Sequence, residues 1–256
     1  MAVRIEQRPG AERGSRTPEK IQSLSSGAIG TVTDAVKDAA GGAIRAVKPR
    51  LRGWIHAFTA PLALAACIVL TVLAPGPALT WACAAYLACS LFLFANSGVY
   101  HISYGHWPRR VSAVLQRVDH ANIYLLIAGT YTPLSVALLD RGMTLLVLGI
   151  VWGGALAGII TSLAWRSAPR WLTTLFYILL GWVAIWFLPQ FWMTGGPAIV
   201  WLLVSGGVVY TVGGAVYARR WPDPDPHWFG FHEIFHTCTV AAWACQCTAC
   251  YLAVLG

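Results

Sequence analysis

An all-α integral membrane protein, a bundle of seven transmembrane helices, is the fold this sequence predicts, and three observations carry that reading. Hydrophobic residues fill 57% of the 256 positions and charged residues only 11%, with a mean hydropathy of +0.61, too apolar for a soluble domain of this length. The stretch from Gly53 to Gly256 divides into seven apolar runs, each near the roughly 20 residues needed to cross about 30 Å of hydrocarbon. Lys and Arg crowd into alternate connections between those runs, as they do in polytopic membrane proteins.

The spans are expected near Trp54 to Ala74, Ala78 to Tyr100, Asp119 to Leu139, Met143 to Trp165, Trp171 to Leu188, Pro197 to Tyr217 and Phe229 to Leu255. Five of the six separators are marked by these helix-ending residues: Pro75-Gly76-Pro77, Asp140-Arg141-Gly142, Ala168-Pro169, Gly195-Gly196-Pro197 and the run from Pro222 to Pro226. Trp54, Trp107, Trp165, Trp171, Trp192, Trp221 and Trp228 fall near span ends, where amphipathic rings sit at the headgroup level. Ten Lys and Arg precede Gly53; Arg109, Arg110 and Arg117, then Arg166 and Arg170, then Arg219 and Arg220 occupy the connections on the same side. Only Arg141 lies on the other. The positive side being cytoplasmic, the N-terminus is expected in the cytoplasm and the C-terminus outside, in the plasma (inner) membrane.

Residues 1–52 hold more than half of the basic residues and half of the acidic ones, so the net charge of +8 belongs mainly to this segment and does not signal nucleic-acid binding. The segment lacks the order of a signal peptide and reads as a flexible cytoplasmic extension, while residues 53–256 form the membrane domain. Ile29, Val32, Val36, Ala40, Ile44 and Val47 recur at helical spacing beside Lys37, Arg45 and Lys48. A short helix on anionic lipid and a chance stripe in a disordered tail both account for them. The seven cysteines (Cys67, Cys83, Cys89, Cys238, Cys245, Cys247 and Cys250) all lie in apolar runs and are expected to pack as small hydrophobes.

Ionisable groups at membrane depth are costly, so each needs a reason. His101 ends the second span, Asp119 opens the third, and His232, Glu233 and His236 lie in the first turns of the seventh. The topology puts them all on the cytoplasmic side. His232 and His236 are four apart, so both imidazoles leave one helix face, as two ligands of one metal ion do. Ser97 and His101 share that spacing on another helix, so His101 could supply a third nitrogen with Ser97 supporting it from the adjacent turn. Three neutral histidines are the pattern of a catalytic Zn2+ site, and Asp119 could serve as its general base. The plainer reading, interfacial histidines satisfied by headgroups or neighbours, applies to any one of them taken singly.

His232 to His236 also fits H-E-x-x-H, the zinc-protease pattern, but a third protease ligand is not evident downstream, and Glu233 could equally pair with Arg219 or Arg220. His106 and His227 lie in polar loops and read as solvated, and His120 points to a different face from Asp119, giving it a structural or surface role. His56 shares the leaflet of the candidate site without a partner at ligand spacing.

Ser97-Gly-Val-Tyr-His101, then the stretch Arg117-Val-Asp119-His-Ala-Asn-Ile-Tyr-Leu-Leu-Ile-Ala-Gly-Thr-Tyr-Thr-Pro133, then His232-Glu-Ile-Phe-His236 resemble the three-part signature of the haemolysin III proteins, relatives of the progestin and adipoQ receptors and adiponectin receptors. The resemblance covers essentially all of Gly53 to Gly256. It implies a zinc ion near the cytoplasmic face with His101, His232 and His236 as ligands, and Asp119 and Ser97 holding the water at the zinc. The sequence departs from the family at Arg52-Gly-Trp-Ile-His56, where members often carry an acidic residue and an Asn ahead of a Thr-His pair.

Three functions are open at this stage. A zinc-dependent hydrolase of lipid amides or esters, of the ceramidase kind found in the wider superfamily, requires an apolar chamber leading to the site and makes membrane lipids the partner. A haemolysin-type pore requires a polar stripe through successive spans, whereas these spans are polar chiefly at one end. A zinc-containing sensor or receptor requires a bound lipid that is not turned over.

Overall fold

The computed structural model describes residues 49, 51–165, 169–225 and 227–256. The amphipathic stripe between Ile29 and Val47 lies outside them. Among the described residues the fold is entirely helical: α1 (Trp54–Leu73), α2 (Gly76–Ile102), α3 (Arg109–Leu138), α4 (Arg141–Ala164), α5 (Arg170–Gly181), a 3-10 segment (Trp182–Phe187), α6 (Leu188–Arg219) and α7 (Phe231–Leu255). Six stretches are long and apolar enough to cross a membrane; one of them is the 50-residue run Arg170–Arg219.

The breakers fall where the chain changes direction. Asp140 caps α4, its Oδ1 accepting hydrogen bonds from the backbone N–H groups of Gly142 at 2.8 Å and Met143 at 3.0 Å. Gly196, with φ of 79°, interrupts the helical path of α6 immediately before Pro197, a left-handed conformation that glycine adopts without steric cost. Two boundaries differ from expectation. The third helix begins at Arg109, ten residues before Asp119, because Pro108 starts it and Arg side chains can cover helix flanks while keeping their charge in water. Residues Leu188 to Thr194 are helical as well, so the predicted turn narrows to the break at Gly196.

α5 and the part of α6 beyond Gly196 run side by side in opposite directions. Thr174 packs against Gly214, and the Trp182 ring lies over Gly207 and donates from Nε1 to Thr211 Oγ1 at 2.9 Å. The 3-10 segment is stabilised from α3, where the Tyr131 hydroxyl donates to the Gly181 carbonyl and accepts from the Ala184 N–H, both at 2.6 Å. It thereby satisfies backbone groups that a change of helix type would otherwise strand at membrane depth.

α3 is the most enclosed spanning helix and packs against α2, α4, α5, α6 and α7. Polar side chains tie it to its neighbours: Asn122 Nδ2 donates to the Phe92 carbonyl at 2.9 Å, and Trp152 Nε1 to Thr132 Oγ1 at 3.2 Å. The outward faces carry Phe58, Leu62, Trp81, Leu145, Trp186 and Met193, all strongly exposed, as a surface solvated by lipid tails would be. The cysteines are free thiols packed among the helices, as expected.

Close approach of α1 and α2 sets the distance between the histidines they carry. A Cβ on Gly98 would lie 3.0 Å from the Ala57 Cα and 3.1 Å from its backbone nitrogen, atoms that cannot yield by changing rotamer. Gly98→Ala is therefore expected to destabilise the bundle by about 1–3 kcal/mol through overpacking. A lowered midpoint of thermal unfolding in detergent is the measurement; an unchanged midpoint would show that the two helices can separate freely.

Candidate metal centre

Four helices bring ionisable side chains to one end of the bundle. α1 contributes His56 in its first turn, α2 contributes Ser97 and His101 in its last two, α3 contributes Asp119 and α7 contributes His232, Glu233 and His236 in its first two. α7 starts there because two carboxylates hold its free N–H groups: Asp223 Oδ1 accepts from Phe231 N and Glu233 Oε2 accepts from Gly230 N, each at 2.9 Å. α1 starts where it does because Gly53, at φ of 90°, lets the chain turn directly against α2. A Cβ there would sit 2.8 Å from the His101 Cβ.

The structure brings His101, His232 and His236 together, with one ligand atom from each lying within 4.8 Å of the others. The Nε2 atoms of His101 and His232 are 3.2 Å apart. Two ligands about 2.05 Å from a tetrahedral zinc ion would stand about 3.3 Å apart, so both nitrogens could meet one such ion. Facing imidazole nitrogens at that distance either share one proton or present two lone pairs to one cation. Asp119 Oδ2 lies 3.5 Å from His101 Nε2, at the edge of the same cluster. His101 and His236 are buried, and His232 and Asp119 are half-buried. By donor type and spacing, the triad could hold a metal ion. Ser97 is buried one turn before His101 and lines the same chamber as Asp119.

Glu233 takes a different partner from the arginines expected for it. Arg52 Nε donates to Glu233 Oε1 at 2.9 Å, and Glu233 is only 1% exposed. One oxygen is held by Arg52 and the other by Gly230 N, so Glu233 serves to join two chain segments. Arg52, which stands where the sequence departs from the family pattern, thus ties the start of α1 to the first turn of α7.

His106 and His227 are exposed, as their loop positions suggested. His120 is not on the surface: it is half-buried, its Nε2 lies 3.4 Å from the Tyr217 hydroxyl, and it lines the chamber described below. Tyr217, which sequence reasoning took only as a span end, also meets the His232 ring at 5.7 Å and carries the Arg170 guanidinium 5.4 Å over its face. His56 proves to be part of the cluster, its ring stacked on His236 with 3.9 Å between centroids. No spacing rule links positions 56 and 236; only the shared end of the bundle hinted at it.

A chamber opens from this cluster into the bundle. His56, Asp119, His232 and His236 line its polar end; beyond them the walls are mainly apolar, from Leu93 and Ile123 to Ile178 and Leu126. It reaches Gln246, ten residues and so about 15 Å further along α7 than His236. A second cavity shares Thr130, Tyr131, Gly181, Trp182, Gly207 and Gln246 with the first, so the two adjoin at that level.

Fold and site together define a class: a multi-pass helical membrane protein with a buried histidine cluster at the mouth of an apolar chamber. Comparison with known proteins narrows it, because the family described as Haemolysin-III related matches over residues 44–247. The chain belongs to the haemolysin III family. It is 33% identical to a hemolysin-3 homolog of Bacillus subtilis (strain 168) over 147 residues, covering 57% of this chain and 65% of that protein. It is 36% identical to a hemolysin-3 of Bacillus cereus over 110 residues, covering 42% and 49% respectively. The matched region thus spans between about half and two thirds of these relatives.

Proposed function

We propose that this protein is a zinc-dependent hydrolase of lipid amides or esters in the plasma membrane, with the zinc held by His101, His232 and His236 on the cytoplasmic side. The observation that carries the reading is the juxtaposition of a three-nitrogen set, gathered within 4.8 Å, with a chamber whose walls are mainly apolar. Its walls, apolar beyond the histidine end and reaching as far as Gln246, suit a long acyl chain. Seven spans are proposed, with Arg170–Arg219 making two of them. A continuous helix of 50 residues would be about 75 Å long, more than twice the hydrocarbon thickness, and α5 and the far part of α6 are antiparallel. With the basic connections inside, the N-terminus is cytoplasmic and the C-terminus external.

A zinc ion at such a site polarises a carbonyl and makes water easier to deprotonate at neutral pH. The chain's own residues do the rest. The apolar walls hold the acyl chain and present its carbonyl to the histidine end. Asp119 Oδ2, beside His101, takes the proton from the attacking water as its oxygen bonds to the carbonyl carbon, and returns it to the departing amine or alcohol as the C–N or C–O bond breaks. Ser97 supports Asp119 and His101 from the preceding turn of α2.

The name hemolysin-3 borne by the relatives suggests a lytic or pore-like role. Against a conducting path in this chain stand Leu134, Ile185, Leu188, Phe191, Leu203 and Val204, which line the inner cavity beyond Gln246. The test is Asp119→Asn assayed on long-chain ceramides and other acyl amides in detergent, with metal content measured alongside. Turnover is expected to fall by at least about 100-fold with zinc retained. Unchanged turnover would remove Asp119 from its role, and no fatty acid release by the wild type from any acyl amide or ester would reject the hydrolase.

A further inference from the structure

His56 is not among the three metal-binding candidates, yet its surroundings are those of a binding group. It is 3% exposed, and neither Nδ1 nor Nε2 has a hydrogen-bond partner. Its ring is fixed on two sides, stacked on His236 at 3.9 Å and edge-on to Phe94 at 5.2 Å with an interplanar angle of 83°. It forms part of the wall of the large chamber. A neutral imidazole carries one N–H donor and one acceptor nitrogen. Burying both without partners forfeits their hydration with nothing in return, and native structures seldom leave such groups orphaned. A phenylalanine would fill the same slot between His236 and Phe94 without that cost.

We propose that His56 is a second polar anchor of the chamber, separate from the three-histidine set, which hydrogen-bonds the head group of an acyl lipid bound there. The ligand class is an amphiphile with one long chain in the apolar part and a carbonyl, carboxylate or hydroxyl at the histidine end. His56 stands one ring from His236, so a head group at the open side of the metal-binding set meets His56 next. Its rigid stacking suits this role, because an anchor that already holds its rotamer loses little entropy on binding. His56 is a positioning residue: it orients the head group while His101, His232 and His236 keep their nitrogens for the metal. The assignment rests on the lipid-chamber reading above and adds to it the residue that recognises the polar end.

The test uses the full chain in detergent and cis-parinaric acid, a fluorescent fatty acid, read by energy transfer from tryptophans such as Trp182 in the chamber wall. His56→Phe keeps both ring contacts and removes both nitrogens. It is expected to weaken parinarate binding by about 10-fold or more while zinc content stays at the wild-type level. His56→Gln, which restores a hydrogen-bonding group, is expected to recover most of the affinity. Should His56→Phe fail to give a monodisperse protein, His56→Leu supplies the same comparison at smaller volume. Wild-type affinity in a folded Phe or Leu variant would overturn the anchor and leave the chamber standing. Loss of zinc in that variant would also overturn it, by making His56 a support of the metal set. Absence of parinarate binding in the wild type would reject the lipid chamber itself, and the anchor with it.

Discussion

Purified protein carrying His236→Ala is expected to hold little zinc where the wild type holds close to one ion per chain. Removing the ring leaves two nitrogens, His101 and His232 Nε2, and breaks the i, i+4 pair on α7 that presents two donors from one rigid face. Disturbing groups that merely support a metal ligand costs about 10–100-fold in affinity, so loss of a ligand itself should cost at least about 100-fold. Elemental mass spectrometry of the detergent-solubilised protein measures this, with circular dichroism confirming that the variant is folded. Equal zinc in the two proteins would mean that the metal sits elsewhere, and a wild type that takes up none would remove zinc from the proposed reaction.

Arg52→Ala is expected to cause a large loss of stability. Glu233 is buried, with Arg52 on one oxygen and the Gly230 N–H on the other. Deleting the guanidinium strands a carboxylate in a low-dielectric setting, which typically costs about 3–5 kcal/mol. Arg52 is 23% exposed and water can partly replace it, so about 3 kcal/mol is the expected size. Combining Arg52→Met with Glu233→Gln removes both charges while keeping an acceptor for Gly230 N, and should recover most of the loss. Thermal unfolding of the single and double variants gives the coupling directly; an Arg52→Ala protein as stable as the wild type would show that the pair holds nothing in place.

What the sequence could tell depended on how local each determinant was. The helices could be read because apolar length and breakers such as Pro75-Gly76-Pro77 and Asp140 are properties of short segments. The meeting of His101 with His232 and His236 could be read because counting charged connections puts distant segments at one end of the bundle, and helical spacing aligns the pair on α7. The extension of α3 back to Arg109 is not evident from the sequence because charged residues there read as a loop, although they suit a helix that protrudes from the membrane. The 3-10 segment after Gly181 depends on a tyrosine about 50 positions earlier, and the Arg52–Glu233 pair spans 181 positions. No periodicity reports such contacts. The stacking of His56 on His236 is of the same kind, since it joins α1 to α7 across 180 positions.

The residues of the histidine set are widely separated along the chain, and this has a consequence for biosynthesis. His101 enters with α2, whereas His232 and His236 belong to α7, the final helix. A nascent chain still lacking α7 holds one of the three donors and has no partner for Arg52. Capture of a cation by this set would have to wait until α7 has met α1 and α2. Chains that stall or are truncated before that step carry neither the three-nitrogen set nor the ion pair that fastens it, so metal occupancy would report completed assembly as well as chemistry.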